Sequence, residues 1–243
     1  MSEEIQTEAV PRHVAVIMDG NGRWASKRRL GRVRGHQEGI KAVRNIIDSA
    51  GHAGVSYLTL FTFSSENWGR PKSEVDALMD LLAKNFRRET PELVKRGVRV
   101  RIIGDRSKLP AKALESIQMT EEMTSGCSRL TLILAISYGG RDEILHAVKK
   151  MVGAGMNPED IDEESFRAHL YAPDVPDPDL LIRTSGEHRI SNFLLWQLAY
   201  TEIHVTDVLW PDFGPEDFKT ALLDYQGRKR RFGLTDEQTG RTP

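Results

Sequence analysis

Short apolar runs separated by longer amphipathic stretches constrain the fold of this chain more than any other feature. The runs are rich in β-branched residues and lie at Val14–Met18, Tyr57–Thr62, Val98–Ile103, Thr131–Ile136 and Leu180–Ile182. Continuous apolar strands that alternate with helices are typical of α/β folds, in which helices cover both faces of the sheet. The sequence therefore predicts an α/β domain with a central, mainly parallel β-sheet flanked by helices.

The stretch between the second and third runs has the period of a helix. Its apolar residues recur at intervals of three and four, at Val75, Leu78, Met79, Leu82 and Phe86. This spacing places them on one face of a helix. An apolar helix face is more often ordinary core than the wall of a ligand site, so we expect it to pack against the sheet.

The composition fits one globular domain. The 243 residues are 39% hydrophobic and 28% charged, which is enough apolar material for a sizeable core. We expect residues 11–233 to form the domain and residues 1–10 and 234–243 to be flexible tails.

The charge balance limits the kinds of binding partner that the protein is expected to have. The net charge is −1, so no global field favours nucleic acid or an anionic membrane. The lone cysteine, Cys127, cannot form an internal disulfide, and the apolar runs are far shorter than a membrane span. We expect a cytoplasmic protein whose anion sites are local.

The first candidate site is Met18–Trp24, directly after the first strand. Glycines at 20 and 22 allow backbone N–H groups to approach phosphate oxygens, and Arg23 can neutralise their charge. Because the carboxylate of Asp19 would repel phosphate, we interpret it as a Mg²⁺ ligand that bridges to the anion. The same residues are equally typical of a tight turn.

A basic cluster follows that segment. Lys27, Arg28, Arg29, Arg32, Arg34 and His36 lie within ten residues, just before a predicted helix that opens near Gly35. Basic runs are usually solvated faces or nucleic-acid patches, but no aromatic platform is interleaved here. We favour a small polyanionic ligand.

The second candidate site is Phe63–Pro71, after the second strand. It offers the hydroxyls of two serines, the amide of Asn67, the guanidinium of Arg70 and the apolar ring of Trp68. This mixture suits an amphiphilic ligand with a charged head. Ser65 and Glu66 are also typical turn or capping residues.

The third candidate site is Arg183–Asn192, after the last predicted strand. Arginine binds phosphate bidentately, and arginine-bearing loops after three strands favour an anion site at one sheet edge. Glu202, farther along, is a candidate second carboxylate for the metal, although alone it reads as an ordinary surface glutamate.

These segments carry a family resemblance. His13–Trp24, Phe63–Trp68 and Arg183–Gln197 resemble the signature sequences of the cis-prenyltransferases, and the similarity runs from about Pro11 to Gly233. The resemblance implies an undecaprenyl diphosphate synthase-like fold with a hydrophobic tunnel. It also implies a Mg²⁺-dependent homodimer that condenses isopentenyl diphosphate onto an allylic diphosphate, usually farnesyl diphosphate.

The resemblance also implies a role for each site residue. Asp19 would be the essential Mg²⁺ ligand, with Glu202 as a second metal position that a dimer partner could contribute. The residues implied to hold or adjoin the allylic diphosphate are Gly20, Asn21, Gly22, Arg23, Trp24, Arg32 and His36. Those implied at the reaction centre and its mobile loop are Ser64, Ser65, Glu66, Asn67, Trp68 and Arg70. Those implied at isopentenyl diphosphate are Arg183, Arg189, Ile190 and Ser191.

Two further expectations concern catalysis and the product. Asn67 is implied as a proton acceptor, but an amide is a poor base, so it either accepts the proton or only orients the substrate. A long polyprenyl product implies peripheral membrane contact. The basic run 228–231 is a candidate lipid contact, against the simpler reading of a solvated helix end.

Overall fold

The computed structural model describes residues 9–228, which form an α/β fold around one six-stranded sheet. All neighbouring strands are parallel, in the order β3-β4-β2-β1-β5-β6. The strands are β1 (His13–Ile17), β2 (Tyr57–Ser64), β3 (Val98–Ile103), β4 (Leu130–Tyr138), β5 (Leu180–Arg183) and β6 (Glu202–Val205). The predicted fold class is confirmed, and the sheet is parallel throughout rather than mainly so.

Helices connect the strands. They are α1 (Asn21–Lys27), α2 (Arg32–Ala53), α3 (Lys72–Lys95), α4 (Ala111–Thr124), α5 (Gly140–Gly153), α6 (Glu163–Arg167) and α7 (Pro215–Gln226). A 3₁₀ turn at Ser65–Gly69 follows β2. No helix among the described residues is long and apolar enough to cross a membrane.

Strand β1 shows why the strands read as continuous apolar runs. All its residues are buried. Val14 and Val16 belong to one hydrophobic cluster, whereas Ala15 and Ile17 belong to another. Because successive strand residues point to opposite faces, both faces of the sheet are covered by protein.

Helix α3 confirms the periodicity of the second connection. Val75, Leu78, Met79 and Phe86 are buried in the main core cluster. Leu82 is only partly buried and lies against that cluster. The apolar face of α3 therefore packs in the core. Several of its residues also line a cavity beside the sheet.

Strand β6 was absent from the sequence prediction. Its four residues alternate in polarity, and Ile203 on it is 47% exposed. A short edge strand buries little on either face, so it lacks the continuous apolar signal of the central strands. Strands β2 and β4 were predicted correctly, but both extend further towards their carboxyl ends.

The register of the central strands brings the three predicted loops to one edge of the sheet. Ile17 in β1 lies beside Arg183 in β5 and beside Phe61 in β2. The carboxyl ends of parallel strands meet at one edge, where α/β folds bind ligands. The segment after β1 therefore lies between the segments after β2 and β5.

Candidate active site

A cavity of about 550 Å³ opens at this edge and extends between the sheet and helices α2 and α3. Its polar mouth contains residues from all three predicted loops: Asp19, Gly20, Asn21, Gly22, Arg23, Arg32, His36, Ser64, Asn67, Arg70, Arg183 and Ser191. Its interior is apolar, with Val43, Ile47, Leu60, Leu78, Met79, Leu82, Phe86, Leu93, Leu132 and Leu134. The structure therefore brings most predicted site residues together at one end of an apolar space.

The turn after β1 positions Asp19. Gly20 has a φ of +104°, and a Cβ there would lie 2.9 Å from the Leu209 side chain, so both conformation and space require glycine. The N–H of Gly20 donates to Asp19 Oδ1 at 2.7 Å. Helix α1 begins at Asn21, and its first N–H groups have no partner within the helix. The segment is a tight turn as well as a rim of the cavity mouth.

Two arginines face the Asp19 carboxylate. Arg183 Nη2 lies 2.8 Å and Arg23 Nη2 3.5 Å from Asp19 Oδ2. The Arg183 side chain is only 4% exposed, and it also donates to Ser191 Oγ at 2.8 Å. Its buried Nε has no hydrogen-bond partner among the described residues. An unpaired buried donor is costly, and an anionic ligand could satisfy it.

A second group of cations lies on α2 and the loop after β2. Arg70 and Arg32 share the Glu74 carboxylate, at 3.2 Å and 3.7 Å. His36 lies among them, and burial, followed by the charge of Arg70, lowers its pKa to about 4 despite an opposing effect of Glu74. His36 is therefore neutral at pH 7 and can donate one hydrogen bond to a phosphate oxygen.

The segment after β2 is fixed by local hydrogen bonds and by contacts to β4. Asn67 Oδ1 accepts the N–H of Ser64 at 3.2 Å. Trp68 Nε1 donates to Ser137 Oγ at 3.0 Å, and its ring packs edge-on against Phe63. Glu66 accepts a hydrogen bond from Asn192 Nδ2 at 2.8 Å. The turn and capping interpretation is thus correct for this segment, and it does not conflict with a place at the mouth.

Several predicted residues lie around the mouth rather than in its lining. Trp24 donates to Asp212 Oδ1 at 2.7 Å, with Arg28 stacked 4.1 Å from its ring centre. Arg189 forms an ion pair with Glu187, and its carbonyl oxygen accepts a hydrogen bond from Arg183 Nη1. Ser65, near the β4–α5 junction, and Ile190, packed against the second hydrophobic cluster, also lie outside the lining, as do Glu66 and Trp68.

Glu202 is not brought to the other site residues within the chain. It lies beside Leu180 at the amino end of β5 and β6, whereas Asp19 follows the carboxyl-end pair of Ile17 and Arg183. Three strand residues, about 10 Å, separate these levels. Glu202 instead pairs with Arg228 at 2.9 Å. Its metal role stays a prediction that requires a second subunit.

The donor set at the mouth fits Mg²⁺ held partly by its substrate. Among residues 9–228, no group of three or more His, Cys, Asp or Glu side chains could enclose a metal ion. Mg²⁺ is commonly held by one or two carboxylates plus phosphate oxygens and water. Asp19, beside two arginines that attract phosphate, provides such a partial site.

Three residues that the sequence did not single out support the mouth. Thr184 Oγ1 donates to the Asp19 carbonyl at 2.7 Å and accepts the Asp19 N–H at 2.9 Å. Glu74 holds Arg32 and Arg70 together, and Asn192 connects two loops. Thr184 and Asn192 lie within the predicted third segment, so the arginines beside them already indicated a functional site. Nothing in the sequence around Glu74 indicated its role, apart from its place near the start of α3.

Comparison with known proteins decides the family. A family model described as "Putative undecaprenyl diphosphate synthase" matches residues 17–233, which include all three loops and the sheet except for the first four residues of β1. The chain belongs to this family. It is therefore a prenyl transferase, as the resemblance implied.

Individual members of the family agree with this assignment. The chain is 53% identical over 238 residues to a ditrans,polycis-undecaprenyl-diphosphate synthase, (2E,6E)-farnesyl-diphosphate specific, from Xanthomonas axonopodis pv. citri, covering 96% of this chain and 93% of the relative. It is 53% identical to an isoprenyl transferase from Thermotoga maritima, covering 92% and 97%.

A solved structure shares the fold. Lavandulyl diphosphate synthase from Lavandula x intermedia, crystallised with dimethylallyl diphosphate, matches with a TM-score of 0.90 and 40% identity. The match covers 93% of this chain and 99% of that one. The fold of this chain is thus shared with a plant enzyme.

Proposed function

We propose that this enzyme condenses isopentenyl diphosphate repeatedly onto farnesyl diphosphate and makes undecaprenyl diphosphate, a precursor of the carrier lipid for cell-wall synthesis. One observation carries the proposal: Asp19 lies with Arg23 and Arg183 at the polar mouth of a cavity whose middle part is apolar. A charged mouth suits diphosphate heads, and the apolar interior suits a growing hydrocarbon chain. The names of the bacterial relatives support the same substrate and product.

The two clusters of cations suit two diphosphates. Gly20, Asn21, Gly22, Arg23, Arg32 and His36 would hold the allylic diphosphate, and Arg183, Arg189 and Ser191 would hold isopentenyl diphosphate. The bond between the allylic carbon and its diphosphate oxygen breaks as a new carbon–carbon bond forms, so negative charge develops on the departing diphosphate. Arginines fixed before the reaction stabilise that charge. Bound Mg²⁺, held by Asp19, would supply further stabilisation as a Lewis acid.

A proton must also leave the isopentenyl unit to complete the new double bond. Asn67 lines the cavity, but its Oδ1 already accepts the Ser64 N–H. We therefore favour an orienting role for Asn67, with diphosphate or water as the proton acceptor. Comparable turnover in Asn67→Ala and wild type would rule out any essential role.

The interior of the cavity suits the tunnel that the family resemblance implied. Leucines and a phenylalanine of α3 face apolar residues of α2 and of strands β2 and β4. After each condensation the allylic diphosphate would leave as pyrophosphate, and the diphosphate of the isopentenyl unit would become the head of the lengthened chain. That head would move to the allylic position while the hydrocarbon chain advances along these helices. This geometry allows repeated addition without release of the product.

The direct test is synthesis of a long product. Purified protein is incubated with farnesyl diphosphate, radiolabelled isopentenyl diphosphate and Mg²⁺, and the dephosphorylated product is sized by chromatography. We expect a long polyprenol whose synthesis stops with a chelator and resumes with added Mg²⁺. Absence of incorporation with every allylic starter would contradict the proposal and favour a non-catalytic partner subunit.

We also propose a homodimer. Apolar side chains are exposed on α5 and near the edge strand β6, namely Leu145, Val148, Val152, Tyr200 and Ile203, which are 43–72% exposed. Burial of such side chains is the usual driving force for subunit association. A second copy on this side would also cover Glu202 on the same strand, which gives that carboxylate a route to another subunit's site.

The dimer is tested by sedimentation. We expect wild type to sediment as a dimer and Ile203→Asp to sediment as a monomer. Lys72→Asp, an exposed change on α3, is the control and should remain dimeric. A monomeric wild type at micromolar concentration would exclude the dimer.

Peripheral membrane contact in the cytoplasm remains part of the proposal, because the product is a long lipid. Of the basic run 228–231, only Arg228 is among the described residues, and it is paired with Glu202 and Asp224. A paired arginine is less available to anionic lipid. Retention on anionic vesicles that is unchanged by neutralising residues 229–231 would exclude this contact.

A further inference from the structure

Asn192 connects three separate segments beside the cavity mouth. Its Nδ2 donates to Glu66 Oε1 at 2.8 Å, on the segment after β2. Its Oδ1 accepts the N–H of Arg141 at 2.9 Å, and its carbonyl accepts the N–H of Gly140 at 2.7 Å. It directly follows Ser191, which is held by Arg183. One side chain therefore ties the second loop, the start of α5 and the third loop.

The backbone around Asn192 is unusual. Ser191, Asn192 and Leu194 all have positive φ, at +50°, +63° and +43°. Asparagine tolerates this region better than most residues, whereas serine and leucine rarely adopt it. Such conformations persist only where surrounding contacts enforce them, and they are common at active sites. The contacts of Asn192 provide part of that enforcement.

The packing beside Asn192 leaves little freedom. A Cβ on Gly139, at the end of β4, would lie 2.5 Å from Ser65 Oγ and 2.7 Å from Asn192 Nδ2. Glycine is what lets the β4–α5 junction approach both loops closely. The second and third loops therefore meet against α5, with Asn192 at their contact.

We propose that Asn192 is a positioning residue that sets the distance between the second and third loops of the cavity mouth through its hydrogen bond to Glu66. Asn67 and Arg70 on the second loop line the same cavity as Arg183 and Ser191 on the third. The reaction joins two bound substrates, so a displacement of about 1 Å between their binding loops lowers the rate strongly. This inference rests on the proposed function.

The electrostatics of Glu66 agree with this geometry. Burial alone would raise the pKa of Glu66, but the hydrogen bond from Asn192, together with bonds from its own backbone and from Ser64 and Ser65, lowers it. Glu66 is therefore ionised and accepts a charge-assisted hydrogen bond, which is stronger than a neutral one. The Asp142 carboxylate, on α5, adds further negative charge near this contact.

An exchange of donor and acceptor tests the contact. Asn192→Asp keeps an oxygen for the Arg141 N–H and tolerates positive φ, but it places a carboxylate against Glu66. In the double variant Asn192→Asp, Glu66→Gln, the new amide can donate to the new carboxylate. Glu66→Gln alone keeps an acceptor for Asn192 and serves as the matched control.

The first measurement is amide hydrogen exchange over residues 64–70, which does not depend on activity. We expect roughly tenfold faster exchange in Asn192→Asp, near-wild-type exchange in Glu66→Gln, and restored protection in the double variant. Melting temperatures of all variants should stay close, because an oxygen at position 192 still accepts the N–H of Arg141. Unchanged exchange in Asn192→Asp, or a double variant no better protected than it, would overturn the proposal.

The second measurement is the condensation itself. We expect kcat/KM for isopentenyl diphosphate to fall roughly 10- to 100-fold in Asn192→Asp. An active wild type with full activity in Asn192→Asp would overturn the positioning role alone. A wild type that makes no prenyl product, but whose exchange pattern follows the donor–acceptor swap, would instead overturn the proposed function and leave the loop contact established.

Discussion

The two ends of the cavity both contain arginines and carboxylates, yet they are organised differently. At the mouth, Arg32 and Arg70 share one glutamate at 3.7 Å and 3.2 Å, and Arg23 lies 3.5 Å from Asp19. At the far end, on α2 and α3, Arg44 forms a bidentate pair with Glu89, at 2.7 Å and 2.6 Å. Arg96 there is held by both Glu92 and Asp48.

This difference in pairing distinguishes the mouth, which suits ligand binding, from the far end, where the ion pairs are structural contacts. Arg183 lies 2.8 Å from Asp19, but the other mouth arginines are loosely paired. The mouth arginines together outnumber their carboxylates, so an added diphosphate would gain charge-assisted hydrogen bonds. Far-end cations already have close partners, and a hydrocarbon chain that reached them would meet satisfied charges. Charge alone does not mark the site; the surplus of donors does.

The strongest test of this comparison is removal of one carboxylate at each end. Asp19→Ala should lower incorporation of isopentenyl diphosphate roughly 10³-fold, because it removes the proposed Mg²⁺ ligand. Asp48→Ala, at the far end, should change it by no more than about twofold. Steady-state assays with labelled substrate measure both. Similar losses in the two variants would erase the distinction.

Acid titration tests the mouth more finely. The pKa of His36 is lowered to about 4, so between about pH 6.5 and 4 the unfolded chain binds a proton that the folded chain does not. The contribution of His36 to the free energy of unfolding should therefore decrease as the pH is lowered through this window, by about 3 kcal/mol. His36→Gln should remove this contribution to the slope in urea titrations.

Bound anion provides the control for this titration. Inorganic pyrophosphate at the mouth should stabilise protonated His36 and reduce its share of the slope. His13 also has a pKa lowered to about 4 by burial, but it lies at the amino end of β1. Its share should be unaffected by pyrophosphate. A slope that is identical in His36→Gln and wild type would contradict the assignment.

A bulky residue between the two ends should shorten the product. Leu82→Trp fills part of the apolar interior, so we expect polyprenols at least one isoprene unit shorter, with a stability loss of about 1–3 kcal/mol from overpacking. Val94→Trp, at an exposed position on the same helix, is the matched control. Radiochromatography of the products decides between them, and equal chain lengths would argue against growth along α3.

The smallest effect is expected at the far end itself. Glu89→Gln weakens the pair with Arg44, whose side chain is 40% exposed, so solvent already screens much of the interaction. We expect a loss of about 1 kcal/mol or less in the free energy of unfolding, measured by urea denaturation. A loss above about 3 kcal/mol would mean that this pair behaves as a buried one.

Local patterns were sufficient for five of the six strands and for most of the mouth. The central strands are buried on both faces, so their apolar runs are visible in sequence, and polar segments after them are brought together by parallel pairing. Edge strand β6 escaped because its residues alternate and stay partly exposed. The resemblance supplied residue roles that spacing alone could not.

The order of residues along the chain was enough to predict the α/β class, the three loops and the residue types that can hold a diphosphate. Three spatial relations became visible only in the folded chain: Glu74 joins two arginines, Asn192 joins two loops, and Glu202 lies away from Asp19. The physical reason is that spacing along a chain fixes which face a side chain occupies. Contacts between distant segments depend on strand register and helix packing, which no local pattern contains.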